Sequence, residues 1–167
     1  MKKKTKPPVT FCLLTVIMFN LVQLIEKIMA AKYLWITGSL IMFLLGAIHF
    51  IYIFFTNKLL PRSEKVKEEM KSTNPILTRE TTMWKGWIGF NASHSSGAIF
   101  IGLLNFYLAV NYFTLFQSDN FFFLFNILTI GFYVWLAKKY WFKIPLIGIS
   151  ITLICFIASY AFTTWNK

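Results

Sequence analysis

A chain of 167 residues that is 57% hydrophobic and only 14% charged is too apolar, and too unevenly charged, for a soluble domain. Its net charge of +11 comes from cations gathered at the ends of apolar runs, where lysines orient spans and meet anionic headgroups. The basic balance therefore points to a lipid bilayer as partner and excludes nucleic acid as the reading of first choice.

In chain order, Met1–Pro8 is a basic lead with Lys2, Lys3, Lys4 and Lys6 ahead of two prolines. Val9–Ile25 is a largely apolar stretch of 17 residues, interrupted by Asn20 and Gln23 and closed by Glu26-Lys27. It suits a short span, a surface helix or a leader core, although no Ala-x-Ala cleavage site follows it. Met29 offers an alternative start, so residues 1–28 are read as a unit separate from a four-helix domain over 29–167. Tyr33–Phe55 is 23 residues long with His49 as its one ionisable side chain, enough to cross about 30 Å of hydrocarbon.

Thr56–Gly86 is the long polar connection, with seven cations and four of the six acids. Between Pro61 and Pro75 the pattern predicts a short charged surface helix over Arg62–Ser72. Trp87–Phe113 is the next span, Gln117–Asn120 a turn, Phe121–Ala137 a compact span closed by Lys138-Lys139, and Ile144–Phe162 the last. Pro145 falls in the first turn of that last span, where its missing N–H costs nothing. Tyr140, Trp141 and Phe142 suit the headgroup level, where amphipathic rings settle. The runs are too long, and lack the alternation, for strands. The fold class is all-α: a polytopic membrane four-helix bundle with an additional N-terminal hydrophobic helix.

Five crossings would put fourteen cations on the side of Thr56–Gly86 and three on the other. With the first segment uncrossed the split is ten against seven, and with a start at Met29 it is ten against two. The positive-inside rule then makes Thr56–Gly86 cytoplasmic and leaves the carboxyl terminus outside.

Two histidines on consecutive spans, His49 and His94, fall about 9–11 Å below the cytoplasmic edge if the spans end at Phe55 and begin at Trp87. On the second of these helices Asn91, His94, Ser95, Ala98, Gly102, Asn105 and Ala109 share an arc of about 100°. Gly89, Ser93 and Gly97 form a second ridge of small residues. Gly38, Met42, Gly46, His49 and Tyr52 form a matching face, as do Asn126, Thr129 and Tyr133, and Gly148, Thr152, Cys155 and Ser159. Polar groups at membrane depth face protein or a cavity, which makes His49, Asn91, Ser93, His94 and Ser95 the candidate ligand-binding residues.

Four uses of the histidines compete: structural hydrogen bonds between helices, an apolar or quinone-like ligand pocket, haem or metal ligation, and a proton or ion path. The absence of Asp or Glu within the last four spans weighs against the path, and no carboxylate or thiolate at that depth assists a metal. No cofactor motif, nucleophile elbow, phosphate loop or zinc-protease helix is present, and no catalytic group is nominated. Cys12 and Cys155 lie in apolar runs and read as buried thiols. Asn91-Ala-Ser93 matches a glycosylation triplet but falls inside a span.

Gly46-Ala-Ile-His49, the connection through Pro75-Ile-Leu-Thr-Arg-Glu-Thr-Thr-Met-Trp84, and Gly89-Phe-Asn-Ala-Ser-His-Ser-Ser-Gly97 resemble a family of small, uncharacterised bacterial membrane proteins. That family is marked by a Gly-Phe-Asn-x-Ser-His helix start, and the resemblance covers about Ala31–Phe162. It implies a four-helix bundle in a bacterial inner membrane with no assigned activity, and marks His49, Asn91, Ser93 and His94. The first 28 residues depart from its pattern.

Overall fold

The computed structural model describes residues 9–164, with side-chain surroundings from Val16 onward. The basic lead Met1–Pro8 and the thiol of Cys12 lie outside the described part. Six helices make up the described chain: α1 (Val9–Phe55), α2 (Glu64–Ser72), α3 (Met83–Asn111), α4 (Phe113–Ser118), α5 (Asn120–Tyr140) and α6 (Lys143–Thr164). No strand occurs among the described residues, and four helices, α1, α3, α5 and α6, are long and apolar enough to cross a membrane. This is an all-α bundle of the multi-pass membrane class.

The expected separation of the N-terminal hydrophobic helix from the first span is not seen, because α1 runs unbroken from Val9 to Phe55. Glu26-Lys27 and Lys32 interrupt the apolar pattern, but the residues from Glu26 to Lys32 include no glycine or proline, and most are strong helix formers. Charge marks a change of surroundings here without stopping the helix. Lys32 Nζ donates to the Val110 carbonyl at 3.0 Å, tying the beginning of the packed part of α1 to the last turn of α3. Upstream, Val16–Ile25 is exposed on all sides.

Two further boundaries move. α3 starts at Met83, four residues ahead of Trp87, because Thr82 caps it: its hydroxyl accepts from the Lys85 N–H at 3.3 Å. The chain expected to run on to Phe113 breaks at Tyr112, and α4 turns Phe113 and Phe116 into the core. The charged surface helix forms as α2, capped by Ser63, with exposed Lys67–Glu64 and Lys71–Glu68 pairs at 2.7 Å.

α1 is the central member, packed along α3 on one side and α6 on the other, while α5 leans mainly on α6. Glycine is required where α1 and α3 meet. A Cβ on Gly102 would lie 2.5 Å from the Phe43 nitrogen, and one on Gly46 would lie 2.8 Å from the Ile99 nitrogen. Small residues let backbones approach, which substitutes for a hydrophobic driving force that lipid does not supply. α6 is fastened to α1 by hydroxyls: Ser159 donates to the Ala31 carbonyl at 2.7 Å and Thr152 to the Gly38 carbonyl at 3.3 Å. Of the expected α6 face, Thr152, Cys155 and Ser159 are buried and Gly148 is partly exposed; Cys155 is a free buried thiol.

Away from the loop end, Trp35 plugs the bundle. Its indole is fully buried and stacked on Phe156 with ring centroids 3.8 Å apart. Phe116 and Phe123 close in at 4.9 Å each. The indole N–H donates to Asn105 Oδ1 at 3.1 Å, and Asn105 Nδ2 donates to Asn126 Oδ1 at 2.7 Å, so one chain of amides joins α1, α3 and α5.

Candidate functional site

The inward face of α3 is the one its period predicts: Ser95, Ala98, Gly102, Asn105 and Ala109 are its buried residues. One turn nearer the loop than Ala98, the same face brings His94 against α1. The His49 and His94 rings meet edge to face with centroids 5.7 Å apart. The two imidazoles therefore share one level, although His49 is six residues from the end of α1 and His94 eleven from the start of α3.

Trp141 and Tyr133 complete an aromatic group. The Trp141 ring lies 5.0 Å from His49 and 5.2 Å from His94, and Tyr133 lies 5.6 Å from His94. Trp141 was expected at headgroup level with Tyr140 and Phe142. Those two do stay exposed, but Trp141 caps the end of α5, its N–H donating to the Ala137 carbonyl at 3.0 Å, and its ring turns inward. Its spacing from Tyr133 and Ala137 carries the signal: steps of four continue one helix face. Thr129, expected on that face, is bonded to the Phe125 carbonyl of its own helix, and Ile130 takes the buried position.

These rings line a cavity of about 230 Å³ at the loop end of the bundle. Apart from Ser95 and Tyr52 its remaining walls are apolar, with Met42 and Leu45 from α1 and Ala98 from α3 among them, and among the described residues no Asp, Glu, Lys or Arg takes part. Ile48, Phe142 and Ile144 line it and are also exposed on the outside, so only single side chains part it from the exterior there. Tyr52 and Leu59 stand on its loop side, and the Tyr52 hydroxyl accepts from Lys58 Nζ at 3.3 Å.

The hydrogen-bond inventory separates the candidate residues. Asn91 Nδ2 donates to the Trp87 carbonyl at 2.8 Å, which turns Oδ1 toward His49 Nε2 at 3.3 Å. That carbonyl oxygen can only accept, so the His49 proton is assigned to Nε2 and Nδ1 is left with its lone pair. Asn91 orients His49 without lining the cavity. Ser95 lines it, but its hydroxyl is spent on the Asn91 and Ala92 carbonyls at 2.9 Å. Ser93 is not part of the site. One residue back from His94 it is turned about 100° away; it is exposed and bonded to the Phe90 carbonyl at 3.0 Å. The ridge of Gly89, Ser93 and Gly97 makes no close helix contact either: nothing lies within 4 Å of a Cβ on Gly89, and on Gly97 only the Tyr133 hydroxyl does, at 3.8 Å.

Every fully buried side-chain nitrogen or oxygen among the described residues has a hydrogen-bond partner. The His94 ring and the Tyr133 hydroxyl, both at the cavity, make ring contacts but no hydrogen bond within the described chain. Donor and acceptor capacity is thus concentrated at one wall of an uncharged pocket. Haem held by both histidines would place its macrocycle between them. The ring separations put Trp141 about 4 Å from their midpoint, within the disc the macrocycle needs, so the residues do not fit that group. Among the described residues no three His, Cys, Asp or Glu gather as metal ligands would. Toward the far end, the Trp35 plug fills the space that a polar path across the bundle would require.

Fold and cavity together define a multi-pass helical membrane protein with a pocket inside the bundle. Set against protein-family models, curated proteins and solved structures, the chain has no match in any of the three.

Proposed function

We propose that this protein binds an uncharged, lipid-soluble ring compound, of which a quinone-like molecule is the type, in the cavity between α1, α3, α5 and α6. The observation that carries the reading is the unspent hydrogen-bonding capacity of His94 and Tyr133 in a pocket whose other walls are apolar or aromatic. A planar ring can stack on Trp141, and its carbonyl or hydroxyl can bond to His94 or Tyr133. The absence of any lining charge favours a neutral ligand, since an ion would be desolvated there without a counter-charge. The thin apolar wall at Ile48, Phe142 and Ile144 suits entry from the acyl chains. In this reading His94 and Tyr133 contact the ligand, His49 and Ser95 shape the wall, and Asn91 positions His49.

For placement, the positive-inside rule supports a cytoplasmic Thr56–Gly86 and an external carboxyl terminus. The family resemblance of His49 and Gly89–Gly97 supports a bacterial inner membrane.

The test is titration of a short-chain quinone into the protein in nanodiscs, followed by tryptophan quenching. Saturable quenching is expected, lost in His94→Leu and in Trp141→Leu. Quenching that rises linearly, as in empty nanodiscs, would overturn the reading; so would a mild-detergent preparation that neither retains nor rebinds any neutral ring compound.

A further inference from the structure

The connection between the first two packed spans carries a feature unrelated to the cavity. Pro75-Ile76-Leu77-Thr78 is a tight turn, closed by the Thr78 N–H on the Pro75 carbonyl at 3.3 Å. Ile76 and Leu77 occupy its tip with relative exposures of 107% and 93%, so none of the described residues covers them. The turn is held by its base. Met83 N–H donates to the Thr73 carbonyl at 2.8 Å, and Asn74 Nδ2 donates to the Thr81 carbonyl at 2.6 Å. The Thr78 hydroxyl accepts from the Glu80 N–H at 3.1 Å. Two large apolar side chains are therefore presented on a stapled loop.

The staple also fixes where they are. Met83 is the first residue of α3, and Ile76 is three residues from Thr73, so the Ile76 backbone lies within roughly 11 Å of the residue that is bonded to the helix start. Met83 opens a helix long and apolar enough to cross a membrane, and Trp84 and Trp87, stacked there 5.5 Å apart, are the ring type that settles at a membrane boundary. Arg79 and Lys85 flank the turn with one acid between them, Glu80, while Lys71 is paired with Glu68, and Lys138, Lys139 and Lys143 lie at the same end of the bundle. Cations around an apolar tip suit an anionic lipid surface. Two side chains are far too few for a protein interface of roughly 1,200 Å².

We infer that the Ile76-Leu77 turn is a membrane wedge that inserts into the anionic headgroup–acyl boundary of the bilayer α1 and α3 cross. It pins the long connection, and α2 with it, against the membrane.

The experiment places an environment-sensitive fluorophore at Leu77→Cys in the full chain carrying Cys12→Ser and Cys155→Ala, with Lys65→Cys on α2 as control. Nanodiscs are made of phosphatidylcholine with or without phosphatidylglycerol, including chain-nitroxide lipid as quencher. Residue 77 is expected to emit further to the blue and to be quenched by the nitroxide lipid, more so with phosphatidylglycerol, while residue 65 stays aqueous. Adding Ile76→Asp should shift the label at 77 back to the red. An aqueous signal at 77 in both lipids would overturn the wedge. So would a blue-shifted signal that the nitroxide lipid fails to quench, which would mean that protein covers the tip.

Discussion

The two ends of this bundle use similar chemistry to opposite effect. At the far end, Trp35, Asn105 and Asn126 consume one another's hydrogen bonds and are sealed by Phe116, Phe123 and Phe156. At the loop end, His49 has Asn91, but His94 and Tyr133 line a cavity with their capacity unspent. A polar cluster in a membrane core is thus not a site by being polar. It is structural when its valences close on themselves, and is left open to a partner when they do not.

The largest effect should come from breaking the packing on which both ends depend. Gly102→Leu sets a side chain against the Phe43 backbone, where even a Cβ would lie 2.5 Å from the nitrogen. It should lower stability by about 3 kcal/mol, at the top of the range for overpacking, seen as loss of the monodisperse peak and of thermal protection. Asn105→Ala should cost about 2 kcal/mol, because it strands the buried Trp35 N–H and removes a donor from Asn126. A thermal shift in nanodiscs would check this, and quinone quenching should survive in the protein that stays folded. His49→Ala, which deprives Asn91 Oδ1 of its donor, should cost about 1 kcal/mol. His94→Ala should cost less than that, while abolishing saturable quenching. Equal stability losses in the two histidine variants would erase the contrast drawn here. Smallest of all, removing residues 1–27 should leave bundle stability within about 0.5 kcal/mol, since Ile28 is the first of the described α1 side chains packed on the core.

Much of the bundle was legible from period and composition. The α3 face from Ser95 to Ala109 follows from one repeat of about 3.6 residues, and so does the inward turn of His94. What period does not carry is which faces meet. Ser93 belongs to a plausible ridge and is exposed, because α1 approaches through Gly46 and Gly102 instead. The Trp35–Asn105 bond joins residues 70 apart, a pairing no local pattern encodes. A tryptophan beside lysines suits the headgroup level, and only the register of Trp141 with Tyr133 and Ala137 signals that its ring turns inward. The unbroken α1 was hidden because Glu26, Lys27 and Lys32 look like a boundary in polarity while remaining good helix formers.

That unbroken helix has a consequence for how the protein behaves as a colloid. Its 47 residues measure about 70 Å, more than twice the hydrocarbon thickness, and Lys32 is hooked to the end of α3 where the bundle stops. The protein is thus an amphiphile with two separate greasy sectors, a broad girdle and a slender rod. A micelle that wraps the girdle need not wrap the rod, so the elution volume of the full-length chain should change with detergent tail length. The shortened chain should elute at one place in all of them.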